Sequence, residues 1–378
     1  MRTTLRDLKL MCDTARYCRR AKEANGRRGA AVFRNAVQMC RERRFEPSEA
    51  YYLGLFDGDF DPSTLDRYVS RRELTKLQER VNPPSWADLL KNKGMFYRFC
   101  MANDIPAPRL YALFFRENGG LVTGGRWLGA NGEAWRQFLD EELPETFVLK
   151  PARGSNGDGV FIIERRGAAF RDAAGCEYDA GGMWRLMSSD VFATGLIVQE
   201  RLQNHEALIR LTGSEFLQTV RACTFVDTTG RARLLHAHLK LTARGVAVDN
   251  FGVGAGGNLQ CCINLDSGVP DAAVRLRSCG NGLELVDRHP ETDLAFNAFV
   301  LPQWPQFREM VNRAAQRFLP VRAIGWDVAI TPAGPMVVEG NIWWGPNNPH
   351  RNMDKVREAL ASDDAGPAAA APQKDPGA

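Results

Sequence analysis

One stretch constrains this chain more than any other: Gly325-Trp326-Asp327-Val328-Ala329-Ile330-Thr331-Pro332-Ala333-Gly334-Pro335-Met336-Val337-Val338-Glu339-Gly340-Asn341. It reads as two apolar strands joined by a Pro/Gly turn. A hairpin roughly symmetric about Ala333 sets Asp327 opposite Glu339. Side chains alternate along a strand, so Glu339 and Asn341 share a face. Asp327, Glu339 and Asn341 then point at one spot. Hard oxygen donors with room left for phosphate oxygens suit Mg²⁺, which rarely takes an all-protein cage. Taken alone, the stretch also reads as a hairpin with polar residues on its wet face.

The rest of the chain narrows the choice. Its 378 residues suffice for two or three domains. With 44% apolar and 25% charged residues it is a soluble globular sequence. It has no run near the roughly 20 apolar residues a membrane span needs. Met1-Arg2-Thr3-Thr4-Leu5-Arg6-Asp7 lacks the apolar run of a secretory signal. Nine cysteines lie scattered without a C-x-x-C pair. That pattern points to free thiols in a reducing cytosol, and so to a cytoplasmic protein. Net charge is +4, and residues 1–90 hold 18 Lys+Arg against 13 Asp+Glu. Such a surplus could meet an anionic substrate, nucleic acid or an acidic membrane surface, but more often it is just a solvated face. No aromatic-basic stripe of the RNA-binding kind is present, so no nucleic-acid partner is expected.

Four regions are expected: helical 1–85, mixed 86–205, mixed 206–355, and a disordered Ala/Pro/Gly tail over 362–378. Pro47 opens a short helix, and Asp61-Pro62-Ser63-Thr64 opens another that runs past Arg71 until Val81-Asn82-Pro83-Pro84 stops it. Trp86 to Pro106 is a helix pair with Lys93 on its exposed side. Phe147–Pro151 and Val160–Ile163 are strands around a Gly-rich loop. Leu196–Glu200, Thr219–Val226 and Arg233–Leu241 are further strands, and Gln306–Phe318 is a clear amphipathic helix.

The candidate chemistry follows. The loop with Gly154, Ser155, Gly157 and Gly159 lacks a Walker pattern and joins two strands. Its glycines let backbone N–H groups approach phosphates, and Lys150 lies just before it. A plain glycine-rich hairpin is the alternative. Gly252-Val253-Gly254-Ala255-Gly256-Gly257 matches G-x-G-x-x-G, but strand-like Asn258–Ile263 follows where a dinucleotide fingerprint needs a helix. His236, His238 and Lys240 share one strand face. With no third clustered ligand, the histidines read as partly exposed strand residues, and Lys240 is the better functional candidate. His205 is ambiguous by itself.

The order of these pieces resembles the ATP-grasp superfamily: Lys93, Lys150 and the Gly loop, Gln199-Glu200, Val220-Arg221-Ala222, Lys240, Asn250 with Gly256-Gly257, then Asp327 and Glu339-x-Asn341. The chain is most similar to the sugar-transfer-associated ATP-grasp proteins, also described as α-L-glutamate ligase-like. Glu46-Pro47-Ser48-Glu49-Ala50-Tyr51-Tyr52-Leu53-Gly54-Leu55, Gln199-Glu200-Arg201-Leu202-x-x-His205 and Thr219-Val220-Arg221-x-x-Thr224 look like that family's pieces.

The resemblance implies an α+β ATP-grasp fold: two lobes clamping ATP, here with a helical N-terminal extension. Lys93 and Lys150 match lysines that meet the phosphates. Gly154, Ser155, Gly157 and Gly159 match the flap. Gln199, Glu200 and Leu202 match the hinge that reads adenine, and His205 stands where a polar group meets ribose. Arg221 and Lys240 match catalytic positions facing phosphate or an acyl intermediate. Asp327, Glu339 and Asn341 match the Mg²⁺ ligands. The implied reaction activates a small-molecule carboxylate as an acyl phosphate for attack by an amine or a sugar-linked acceptor, releasing ADP and phosphate. Cell-surface polysaccharide or peptide modification is the implied setting. Alternatives on the same fold are a kinase or a non-catalytic ATP-binding regulator. One departure stands out. The related glutamate-adding ligases follow this Asn with small residues, Pro and Gly, whereas this chain has Ile342-Trp343-Trp344-Gly345-Pro346-Asn347. The resemblance therefore does not carry the acceptor or the oligomeric state.

Overall fold

The computed structural model describes residues 5–25, 30–57, 60–154, 157–242, 251, 257–347 and 353–362. Ser155, Asn250, Gly252 to Gly256 and the expected tail beyond Ser362 lie outside the described residues.

The chain begins with helices Leu5–Asn25, Ala30–Glu42 and Pro47–Tyr52, the last with Pro at its first turn as the sequence suggests. The expected long helix after Asp61 is instead two elements. A 3₁₀ turn, Pro62–Arg67, ends at extended Tyr68, and helix Arg71–Val81 starts afresh. Two local causes are visible. Tyr68 and Val69 are buried, which draws the chain off the helical path. Ser70 then accepts a hydrogen bond from the Glu73 N–H at 3.2 Å, capping a new helix.

Two antiparallel sheets follow. The first contains β1 (Leu110–Phe115), β2 (Gly119–Val122), β3 (Trp127–Leu128), β4 (Thr146–Pro151), β5 (Phe161–Arg166), β6 (Ala169–Asp172), β7 (Glu177–Tyr178) and β8 (Leu196–Glu200). Its order is β3-β2-β1-β8-β4-β5-β6-β7. The second contains β9 (Thr219–Val226), β10 (Ala232–Leu241), β11 (Leu259–Ile263), β12 (Pro270–Leu276), β13 (Leu283–Val286), β14 (Ala323–Thr331) and β15 (Gly334–Asn341). Its order is β13-β12-β11-β10-β9-β14-β15. Leu259–Ile263 is a strand, as expected, so the glycine motif before it opens no helix.

Strand alternation gives each sheet a core face and an opposite face. In the first sheet Phe147, Leu149, Leu196 and Val198 join Trp135, Phe138, Met183 and Met187 in a core against helices Gly132–Glu141 and Ala180–Met187. Their neighbours Val148, Lys150 and Gln199 turn the other way. In the second sheet Val220, Ala222, Ala237, Leu239, Trp326 and Val328 share a core with Phe307, Met310, Val311, Ala314 and Ala315 of helix Trp304–Arg317. Removing a fully buried aromatic such as Trp326 from such a core costs roughly 3–5 kcal/mol. The opposite face carries Arg221, Lys240 and Asp327. Farther along that face Cys223, Phe225 and Ala323 pack beneath helix Arg71–Val81, helix Met353–Ala361 and Trp344. The helical N-terminal region thus covers part of the second sheet.

Candidate functional site

The hairpin has the register its sequence suggests. Asp327 pairs with Glu339 and Gly325 with Asn341, with a bulge between Asp327 and Val328. A single row of side chains crosses the sheet: Cys262 beside His238, His238 beside Arg221, Arg221 beside Asp327, and Asp327 beside Glu339. Asp327 is 7% exposed. Arg221 grips it with Nε at 2.7 Å and Nη2 at 3.0 Å, and Lys240 Nζ lies 3.2 Å away. Burial alone would raise the Asp327 carboxyl; Arg221 and Lys240 overcome that and hold it well below the usual carboxylate range. The Asn341 amide nitrogen donates to Gly325 O at 3.2 Å, which leaves Oδ1 as its remaining ligand atom.

Helix Lys93–Ala102 faces this row. Asn92 caps it, accepting from the Gly94 and Met95 N–H groups. Lys93, expected to be exposed, is buried at its first position. Its Nζ donates to Gly154 O at 2.8 Å and lies 3.5 Å from Glu339 Oε1. One turn on, Tyr97 accepts a 2.7 Å bond from Lys150 Nζ and donates to Val338 O. Lys150 also sits 4.7 Å from the Tyr97 ring centre. Burial, then the neighbouring Lys93, pulls the Lys150 ammonium down to about 7, with Glu339 acting in the opposite sense.

The first sheet supplies a different wall. Val148 and Ile162 are apolar, and Gln199 Oε1 is buried without a hydrogen-bond partner among the described residues. The Glu200 carboxylate accepts from the Arg109 N–H at 3.0 Å and is thereby anchored.

These walls enclose a cavity of about 290 Å³. Lys93, Lys150, Gly154 and Gly157 line it, as do Gln199, Glu200 and Leu202. Arg221, Lys240, Asp327, Glu339 and Asn341 complete the set. Gly159 does not line it: a Cβ there would meet Pro151 and Val191 at 2.9 Å, so this glycine serves close packing at φ 71°. His205 does not line it either. Its Nδ1 accepts from the Ala207 N–H at 3.2 Å, capping helix Glu206–Thr212, and Arg201, Glu215 and Phe216 stand at the cavity instead. Ser155 is outside the described residues. His236 and His238, expected to be partly exposed, are buried 3.2 Å apart. Burial brings His236 down to about 4.

Sequence reasoning missed Tyr97, Arg201 and Glu215. Tyr97 at the i+4 position from Lys93 was available as a signal, because one helix face then carries both. Arg201 and Glu215 had no such pattern.

The donor set fits the groups implied. Two carboxylates and an amide oxygen face four cations, as a metal-bound polyphosphate requires. Beside the apolar wall, Gln199 Oε1 is an orphaned buried acceptor among the described residues.

A family model for sugar-transfer associated ATP-grasp proteins matches residues 72–349, and the chain belongs to that family. Its two-sheet architecture is the ATP-grasp fold with a helical N-terminal region. Among solved structures, the chain is similar to biotin carboxylase from Campylobacter jejuni, at 10% identity and TM-score 0.44, over 78% of this chain and 52% of that one. It is similar to D-alanyl-alanine synthetase A from Vibrio cholerae at 10% identity and TM-score 0.42, over 75% and 67%. A RimK domain ATP-grasp protein from Sphaerobacter thermophilus has 14% identity and TM-score 0.35, over 73% and 68%. The chain spans about half the length of the first of these. No curated protein matches the sequence.

Proposed function

We propose that this chain is an ATP- and Mg²⁺-dependent carboxylate–amine ligase, with residues 86–205 and 206–355 as its two jaws. The observation that carries the reading is the meeting of Lys93, Lys150, Arg221 and Lys240 with Asp327, Glu339 and Asn341 around one cavity. The proposed roles are as follows. Gln199 to Leu202 hold adenine. Lys93, Lys150 and the Gly154 loop hold phosphates. Asp327, Glu339 and Asn341 hold Mg²⁺, which when bound neutralises phosphate oxygens and aligns them.

The chemistry needs no protein nucleophile. A substrate carboxylate oxygen attacks the γ-phosphorus and the bond to the β-bridging oxygen breaks, giving acyl phosphate and ADP. Arg221 and Lys240 sit where they can bind the charge that moves during transfer. An amine then attacks the carbonyl carbon, phosphate leaves with the C–O electron pair, and the surplus amine proton passes to solvent. Positioning and charge neutralisation do the work.

Supplying candidate carboxylates and amines together tests this directly. The expected products are an amide, ADP and phosphate. AMP and pyrophosphate across the substrate panel would contradict the reading, and a stable phosphorylated hydroxyl product would favour a kinase instead. A setting in cell-surface polysaccharide or peptide modification, in the cytoplasm, is the corresponding biological proposal.

A further inference from the structure

Asn82 reads in the sequence only as the stop between helix Arg71–Val81 and Pro83-Pro84. The structure gives it a larger place. It is 1% exposed, and its side-chain amide makes four hydrogen bonds. Nδ2 donates to Ala323 O at 2.8 Å and Ile342 O at 3.2 Å. Oδ1 accepts from the Arg322 N–H at 2.9 Å and the Ala323 N–H at 2.8 Å. That uses the amide's two N–H groups and both acceptor sites of its oxygen.

The location matters as much as the count. Strands β14 and β15 are joined by their turn at the far end, at Thr331 and Gly334. Ala323 begins β14, and Ile342 follows the last residue of β15. Asn82 therefore closes the open end of the hairpin. The next rung inward is the pair Gly325 and Asn341, where Asn341 is itself oriented by Gly325 O. Two rungs further in, past Trp326 and Gly340, is the pair Asp327 and Glu339. Bulging between Asp327 and Val328 interrupts the ladder just beyond them, so the far turn does not fix this end alone. Four residues back on the same helix, Gln78 Nε2 donates to Trp344 O at 3.0 Å, a contact beyond the end of the hairpin and separate from the Ala323–Ile342 bridge.

We propose that Asn82, a residue of the N-terminal helical region, is a positioning residue for the Mg²⁺ ligands: it pins Ala323 to Ile342 and thereby fixes the spacing and orientation of Asn341 and Glu339 against Asp327. The inference rests on the ligand assignment made above. It also gives the N-terminal helices a function, as the support on which the metal end of the cleft is built. Outer groups that orient metal ligands typically matter about 10- to 100-fold in metal affinity.

The experiment uses the full chain. Affinity for ATP is measured by calorimetry with EDTA and again with Mg²⁺, for wild type, Asn82→Asp and Gln78→Met. Asn82→Asp keeps the two accepting contacts and sets oxygen against the two carbonyls, so it removes the bridge with little change in volume. Expected is an unchanged metal-free affinity and a Mg²⁺-dependent gain reduced roughly 10- to 100-fold. Gln78→Met, which leaves the bridge intact, is expected to keep the gain. A gain equal to wild type in Asn82→Asp overturns the proposal. Equal losses in both variants, or parallel loss of metal-free affinity, also overturn it, because these mark general loosening. Should Asn82→Asp fail to fold, Asn82→Ser, which keeps one hydroxyl, is read by the same criteria. If wild type itself shows no Mg²⁺-dependent gain, it is the ligand assignment that fails.

Discussion

The two walls of the cavity hold a ligand by different physics. The first-sheet wall, with Val148, Ile162 and the Gln199 amide, has apolar surface and one unmet acceptor. It can select by shape. The second-sheet wall is a lattice of opposed charges, in which Asp327 is held by Arg221 and Lys240, and Glu339 lies beside Lys93. Its groups are already paired within the protein. On the proposed reading, a Mg-nucleotide would replace one set of ion pairs with another. One wall is mainly apolar, while the other is a balance of opposed charges.

The sharpest way to break that balance is Asp327→Ala. It leaves Arg221 and Lys240 facing each other with no buried carboxylate between them. Removing one partner of a buried pair costs about 3–5 kcal/mol. Urea denaturation is expected to register a loss of that size. A loss under about 1 kcal/mol would place the group with ordinary exposed ion pairs.

Lys150→Met has the next largest effect, and pH resolves it. The buried Lys150 sits near 7, against 10.5 for an ordinary lysine. Between these values the unfolded chain carries a proton that the folded chain lacks, so this group makes stability rise as pH rises through that window. Binding runs the other way, because a phosphate prefers the charged ammonium. Mg-ATP affinity is expected to fall above pH 7, by at most about tenfold per pH unit for one linked proton. Lys150→Met should weaken binding and flatten both slopes. Slopes that persist in the variant would assign the titration elsewhere.

Val148→Ala tests the apolar wall and has the smallest effect. Loss of two methyl groups from a contact surface costs about 1.5 kcal/mol, roughly tenfold in affinity. That loss is expected in metal-free ATP binding, with the Mg²⁺-dependent gain unchanged. A loss seen only with metal would erase the distinction between the walls.

The hairpin was legible because its information is local. Alternation and a Pro/Gly turn suffice to set Asp327 against Glu339, and the register agrees. Leu196–Glu200 and Thr219–Val226 were legible for the same reason. What covers a strand face is not local. His236 and His238 look half-exposed from alternation, yet His236 meets Asn347, more than a hundred residues away. Lys93 looks exposed on its helix, but the partners that bury it, Gly154 and Glu339, come from two different sheets' neighbourhoods. Asn82 looks like a helix stop because its partners, Ala323 and Ile342, lie in the last third of the chain. His205 was placed by motif position, and the structure gives its ring a capping duty that no motif spacing encodes.

The most direct measurement is the melting temperature of the full chain with and without Mg-ATP, for wild type, Glu339→Ala and Lys150→Ala. At 100 times its Kd a ligand adds about 2.7 kcal/mol to the native state. A clear rise is expected for wild type, and most of it is expected to disappear in both variants. A rise of the same size in all three proteins would contradict this.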